Sequence, residues 1–486
     1  MARDHGRAAA TRRSSDVPHF DREADVVIAG LGGAGVCAAL EAANAGAEVL
    51  VLERAGAGGG TTAVSDGMMY IGGGTALQQA CGFEDTPEEM FKYLMASCGP
   101  DPDEARIRLY CDGSVGHYEW LLDQGIPFKA EFYPDRMLSP GEQGLTYSGN
   151  ELVHPFREQA KPAPRAHMPK KEGSTGAFLM ERLIVAAEAK GVVTEANALC
   201  ETLVADPDGR VVGVVYVKEG HEFVVRARRS VVLAAGGFVN NEEMVGQYAP
   251  HLRKARFNAA TDGDDGRGIR MGMGAGGAAV RMHMTSVTLP FYPPKSLMRG
   301  IFINASGQRF MPEDSYQGRA GEICLLQENG RVWLLLDDEN FERPHFGGGE
   351  LAAVGETIEE VERELGFVAG TLQSTVAIYN DHAARGEDPL FHKSPEYLVP
   401  LTAPPYGVLD LSWDKAIYAA FTLGGLHTNT RAEVLDADGH PVAGLFAAGR
   451  TAASFSSPGY SSGSSVGEAM FFGRVAGRNG AATTPH

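Results

Sequence analysis

Disulfide and metal-ligand spacing is missing from this sequence. Its six cysteines (Cys37, Cys81, Cys98, Cys111, Cys200 and Cys324) form no CxxC pair and no histidine-rich spacing accompanies them. A disulfide framework and a structural metal site are thereby excluded, and the six read as reduced thiols. Long apolar runs are missing too, since none approaches the ~18 residues that a membrane-spanning helix requires. Arg12 and Arg13 stand in the opening MARDHGRAAATRRSSD, but no apolar stretch follows them before the first strand. An export signal of the twin-arginine kind is therefore not expected, residues 1–18 read as a disordered arm, and the expected location is cytoplasmic. Positive charge is scarce: 43 Lys and Arg against 62 Asp and Glu leave a net charge of -19. A nucleic-acid partner would need clustered Lys and Arg, so it is disfavoured.

What is present is a chain of 486 residues, 44% of them hydrophobic, enough for a large core and two or more domains. DVVIA (25–29) is a short apolar strand, GLGGAG (Gly30 to Gly35) follows at once, a helical spacing comes next, and EVLVLE (48–53) forms a second strand. Strand, glycine turn, helix and strand within about 30 residues make a dinucleotide-binding unit. Gly30 permits the tight turn, Gly32 lets the backbone approach a pyrophosphate, Gly33 and Ala34 open the helix, and Gly35 lets helix pack on strand. Glu53, ending the second strand with Arg54 after it, is placed to accept hydrogen bonds from a ribose. GMGAGG (272–277) fits the same glycine pattern but follows TDGDDGRGIR rather than an apolar strand, so it reads as a closely packed helix.

Further segments favour a flavin over a nicotinamide. GGGTTAVSDG (58–67) supplies Gly59, Gly60, Thr61, Thr62 and Ser65; the wholly apolar VVLAAGG supplies Ala235 and Gly236; Asp265 lies in TDGDDG; GLFAAGR supplies Gly449 and Arg450. FAD is long, and its two ends need glycine-rich approaches from separate parts of the chain. A helix beginning at Ser464, Ser465 and Val466 would point its free N–H groups at a reduced, negatively charged flavin ring. Residues 85–125 and 176–191 read as helical, 201–238 as strands with a hairpin at Asp208-Gly209, and 140–175, rich in Pro, Gly, Lys and His, as a surface loop. The fold class is α/β. A Rossmann-like FAD-binding domain (19–282 and 406–486) carries an inserted α+β catalytic, capping domain (283–405).

Seven segments in order, GLGGAG, LERAGAGGGTTAVSDGMMYIGGG, RRSVVLAAGGF, GIFINASGQRFMPEDSYQGR, FTLGGL, GLFAAGR and GYSSGSSVG, resemble the fumarate reductase and 3-ketosteroid dehydrogenase flavoprotein family. The resemblance implies FAD, with the substrate between the two domains. It is strongest toward the Δ4-(5α) branch of the 3-ketosteroid dehydrogenases. Dicarboxylate reductases carry an HGANR-like run where this chain has GYSSG, while Arg319 and His427 fall near two of their other substrate positions. Δ1-dehydrogenases carry YPGPG there, with the tyrosine one place earlier. By resemblance, Tyr460 takes the proton from C4 and Ser462 and Tyr316 are its hydrogen-bonding or relay partners. The implied reaction places a C4-C5 double bond in a 3-keto-5α-steroid. The alternatives are Δ1-dehydrogenation and reduction of fumarate, urocanate or an enone. The substrate is a steroid-like apolar ketone, the electron acceptor is unknown, and Met68, Met69, Tyr70, Phe291, Tyr292 and Phe455 are candidate pocket walls.

Overall fold

In a computed structural model the described residues are 10–136, 142–170, 175–346 and 349–486. The valine-rich strand Arg22–Ala29 pairs in parallel with Val49–Glu53, and that strand pairs with Val193–Ala196. On its other side Arg22–Ala29 pairs in parallel with His221–Leu233, whose last residues Val231, Val232 and Leu233 also pair in parallel with Pro441–Ala447. These three valine and leucine positions are fully buried, as a strand covered on both faces requires. The expected hairpin is present: Val211–Lys218 pairs antiparallel with both Leu199–Ala205 and His221–Leu233. The result is a nine-stranded α/β sheet.

The helices Gly33–Asn44 and Ser464–Ala482 cross at close range on this sheet. A side chain on Gly473 would collide with the backbone of Ala34, and one on Gly477 with that of Ala38. The glycines spaced four apart in GRVAG therefore keep two helix backbones in contact, and the C-terminal segment is a core element. The second glycine run behaves as expected, since Gly272, in the helix Arg267–Gly274, packs directly on Leu426.

Three expectations are corrected. The second half of the arm expected over 1–18 is ordered: Arg12–Arg13 adds a parallel strand to Leu199–Ala205, and Arg12 pairs with Glu222 at 2.5 Å. The sheet edge offers unpaired backbone groups that this short strand satisfies; residues 1–9 lie outside the described residues. The capping domain does not end at 405. Its four-stranded antiparallel sheet runs Ile301–Asn304, Val332–Asp337, Tyr406–Asp410, Glu350–Gly355, so a central strand comes from beyond the expected boundary. A second crossing pairs Thr285–Thr288 with Ala419–Thr422.

The third correction concerns 140–175. Leu145–Thr146 and Ala166–His167 belong to a small sheet with Met69–Tyr70 and Phe132–Tyr133, and Ser148, Asn150, Glu151, Arg165 and His167 are buried. Arg165 holds Asp85 through two hydrogen bonds of 2.9 and 2.7 Å with both side chains fully enclosed. Composition assigns such a segment to solvent because it weighs each polar side chain alone, whereas burial depends on partners elsewhere in the chain. Residues 137–141 and 171–174 of the reading lie outside the described residues.

Two enclosed histidines make the fold acid-sensitive. Burial lowers His117 to about 3, helped by Arg474, and lowers His167 to about 4. An unfolded histidine takes up a proton near pH 6.5, whereas these two resist it when folded, so stability present above pH 6.5 is lost as pH falls. Each is expected to cost roughly 2 kcal/mol between pH 7 and pH 5. Thermal melting at the two pH values checks this, and His167→Gln should reduce the difference.

Candidate active site

Four parallel strands end at one edge of the sheet, and each is followed there by residues expected at a cofactor. Ala29 leads into Gly30, Glu53 ends its own strand, Leu233 leads into Ala235 and Gly236, and Ala447 leads into Gly449 and Arg450. The carboxyl ends of parallel strands are where open α/β sheets bind ligands, because helix N-termini and bare backbone converge there. Gly30 has φ 102°, and a side chain on it would lie 2.5 Å from the carbonyl oxygen of Ala234. Gly35 would collide with the carbonyl of Gly30 if it carried a Cβ, so it closes helix on strand as its place in the motif requires.

A cavity of about 1080 Å³ opens along this edge. Its first part is lined by Gly30, Gly32, Gly33 and Ala34, with Glu53 and Arg54 beside them. The Glu53 carboxylate accepts from the N–H groups of Leu31 at 2.7 Å and Ala55 at 2.8 Å, which fixes its orientation and leaves lone pairs for a ribose. Gly60, Thr61, Thr62 and Ser65 line the middle, facing Ala235, Gly236 and Asp265. Gly449, Arg450, Ser465 and Val466 line the far part together with Tyr460 and Ser462. Three expected cofactor residues stand off the wall. Gly35 is a packing residue, Gly59 takes φ 132° to donate to the Leu31 carbonyl at 2.8 Å, and Ser464 is buried at the start of the last helix.

Sequence reasoning missed the residue that ties the middle together. Asp264, almost fully enclosed, accepts from Gly237 N–H at 2.6 Å, from Thr61 Oγ1 at 3.1 Å and from Arg450 Nη2 at 2.5 Å. The only signal was the acidic, glycine-rich TDGDDG ahead of a helix. Arg450 keeps its Nη1 buried with no protein partner, a cation reserved at the cavity wall.

The far end is built by the last helix. Gly463, its N-cap, has φ 90°, and a Cβ there would lie 2.8 Å from Tyr70 N, so the helix N-terminus sits hard against the chain after the glycine loop. The free N–H of Ser465 donates to Tyr460 Oη at 3.2 Å, and Phe421 meets the Tyr460 ring edge-on at 5.4 Å. Burial pushes the Tyr460 phenol up to about 12, against the opposing pull of the Ser465 N–H and the Arg450 charge. Tyr316, on the capping domain, is buried and hydrogen-bonds Ser462 directly; burial pushes its phenol well above the ordinary value. Both phenols are raised by burial; at Tyr460 the Ser465 N–H and the Arg450 charge oppose that rise, and at Tyr316 the Ser462 hydrogen bond does.

The three expected reacting residues are brought to one place, with one change in pairing: Ser462 and Tyr316 hold each other, and Tyr460 leans on the helix N-terminus. Arg319 lies off the cavity wall with its guanidinium over Phe156, and His427, also off the wall, makes main-chain hydrogen bonds with Ala278 and Leu435. Of the candidate pocket walls, Met68 lines the cavity; Met69, Tyr70, Phe291, Tyr292 and Phe455 are core.

The donors fit FAD. The volume exceeds that of most small-ligand pockets, the near end offers a bare glycine turn, a helix N-terminus and an oriented carboxylate, and the far end offers a second helix N-terminus and an unpartnered arginine nitrogen. No helix among the described residues is long and apolar enough to cross a membrane.

Comparison with known proteins agrees with this reading. The FAD binding domain family model matches residues 25–466. The crystal structure of the 3-ketosteroid-Δ4-(5α)-dehydrogenase of Rhodococcus jostii RHA1, in complex with 4-androstene-3,17-dione, superposes with a TM-score of 0.92 at 44% identity, covering 97% of this chain and 99% of that one. The 3-oxo-5-alpha-steroid 4-dehydrogenase of Comamonas testosteroni is 29% identical over 90% of this chain and 94% of its own length. The urocanate reductase of Eggerthella lenta is 30% identical over 95% of this chain and 75% of its own.

Proposed function

This chain belongs to the FAD binding domain family, as its match over residues 25–466 shows, and from that premise we propose that it desaturates a 3-keto-5α-steroid between C4 and C5. The observation that carries the reading is the far end of the cavity, where Tyr460 and Ser462 line the wall beside a helix N-terminus and Tyr316, standing off the wall, hydrogen-bonds Ser462. The glycine turn, Glu53, the Thr61–Thr62 loop and Arg450 would hold FAD, which would supply the acceptor for the hydride that leaves C5.

The protein's own task is the proton. A ketone acidifies the hydrogen on its α carbon, and donors aimed at the carbonyl oxygen stabilise the enolate as it forms. The electrons of the C4–H bond become the C4–C5 double bond as the proton passes to Tyr460. The Ser465 N–H and the Arg450 charge favour the phenolate that receives it. Ser462, pre-aligned by Tyr316, is the hydrogen-bonding partner for the substrate oxygen. A second assignment follows from the same pair: neutral Tyr460 donates to the ketone and Ser462 passes the C4 proton to Tyr316. The Ser462–Tyr316 hydrogen bond favours it, and the pH behaviour of Tyr460→Phe separates the two.

A reductase of an unsaturated acid would use Arg319 and His427 on its substrate, and neither lines the cavity, whose arginines are Arg54, Arg267 and Arg450. Anaerobic addition of a 5α-3-ketosteroid to the yellow protein is expected to bleach the flavin, with a C4-C5 double bond in the product. A spectrum that does not change overturns the reading, and a C1-C2 double bond in the product moves it to the Δ1 reaction.

A further inference from the structure

Tyr316 and Ser462 come from different domains, and something must hold them in register. We propose that Ser148, Gly149 and Asn150 form a clamp that positions this pair, with Ser148 acting through Ser462 and Asn150 through Tyr316. The proposal rests on the reading of Ser462 and Tyr316 given above.

The clamp grips both partners by separate bonds. Ser148 meets Ser462 twice: its carbonyl accepts from the Ser462 N–H at 2.8 Å, and its hydroxyl donates to the Ser462 carbonyl at 2.8 Å. Both main-chain groups of Ser462 are thereby fixed, and its hydroxyl is left to face Tyr316. Two residues along, Asn150 Oδ1 accepts from the Tyr316 N–H at 2.9 Å. Tyr316 is the N-cap of the helix Gln317–Leu325, so this N–H has no helical partner of its own. Between them, the Tyr93 hydroxyl accepts from the Asn150 N–H at 2.8 Å and bonds Ser461 Oγ at 2.9 Å. Gly149 allows the approach: a Cβ there would lie 2.5 Å from Tyr93 Oη and collide with Ser461 Oγ. Ser148 and Asn150 are buried and belong to neither of the elements they join. Glu151 completes the anchor by accepting from the Gly149 N–H at 2.9 Å and from Tyr70 at 3.0 Å.

A clamp and a mere packing segment predict different losses. If Ser148 and Asn150 position the pair, Ser148→Ala and Asn150→Ala slow anaerobic flavin bleaching by the steroid about 10-fold to 100-fold. Their flavin content, melting temperature and Kd for the 4-ene-3-ketone product stay near those of the unaltered holoenzyme. Ser148→Thr, which keeps the hydroxyl, recovers most of the rate. Bleaching at the unaltered rate in both alanine variants overturns the clamp. So does a loss of rate that Ser148→Thr fails to recover and that comes with lost flavin and weaker product binding. The two proposals fail differently: if no steroid bleaches the unaltered protein, the substrate reading has failed; if it bleaches and the variants match it, only the clamp has.

Discussion

Tyr460→Phe is expected to lower steroid-dependent flavin reduction by about 10²-fold to 10⁴-fold, the range for removing a proton-transfer group. The side chain is buried and keeps its ring contact with Phe421 when the hydroxyl is removed, so fold and flavin content should hold. The pH dependence tells which role was lost. Burial has pushed the phenol up to about 12. A Tyr460 base is therefore mostly protonated at neutral pH, and the rate rises with pH as the phenolate fraction grows toward that value. The rise should disappear in Tyr460→Phe and persist in Ser462→Ala. If Tyr460 only donates to the ketone, the rise is absent, because a phenol pushed up to about 12 stays protonated through pH 10, and any rising limb that persists in Tyr460→Phe belongs to Ser462 and Tyr316. Stopped-flow bleaching from pH 6 to pH 10 reads the slope directly.

Gly35→Val is expected to abolish flavin binding and to destabilise the chain by more than about 4 kcal/mol, at the upper end for a single substitution. The reason is local. A Cβ at this position collides with the carbonyl of Gly30, which is backbone and has no rotamer to retreat into. Gly30 cannot move either, because its φ of 102° sets the turn and the carbonyl of Ala234 stands 2.5 Å from where its own Cβ would be. The helix Gly33–Asn44 would have to lift from the strand, and its far side is already pressed on Gly473 and Gly477 of the last helix. A colourless, low-melting preparation is the expected result. Gly46→Ala is the control in the same region: Gly46 has φ 81° but open space around it, so the protein should stay yellow at a modest cost in stability.

The sequence determined the flavin half of the site through local chemistry. Strand, Gly30-x-Gly32-x-x-Gly35, helix and Glu53 occupy one short stretch, and Gly30 and Gly35 are required by backbone constraints within that stretch or one strand away. The same holds for the start of the last helix at Ser464, legible because capping and helical spacing act over a few residues; that its Ser465 N–H reaches Tyr460 Oη was not. The order of the glycine segments implied that they converge, and the parallel pairing of Val231–Leu233 with both neighbouring strands is the reason that they do.

What only the tertiary structure decided are the pairings between residues far apart in the chain. Asp264 matters because Thr61 and Arg450, far apart in the chain, both donate to its Oδ2, and nothing in TDGDDG announces either partner. Tyr316 and Ser462 were expected to serve Tyr460, but they hydrogen-bond each other, a pairing between residues 146 apart in the chain. The segment Ser148–Glu151 was assigned to the surface with the rest of 140–175, which is rich in Pro, Gly, Lys and His. It is buried because most of its polar groups find partners elsewhere in the chain: Ser148 meets Ser462, Asn150 Oδ1 and N–H meet Tyr316 and Tyr93, and Glu151 meets Tyr70. Hydrogen-bond satisfaction is a property of pairs, and a sequence read one residue at a time records only half of each pair.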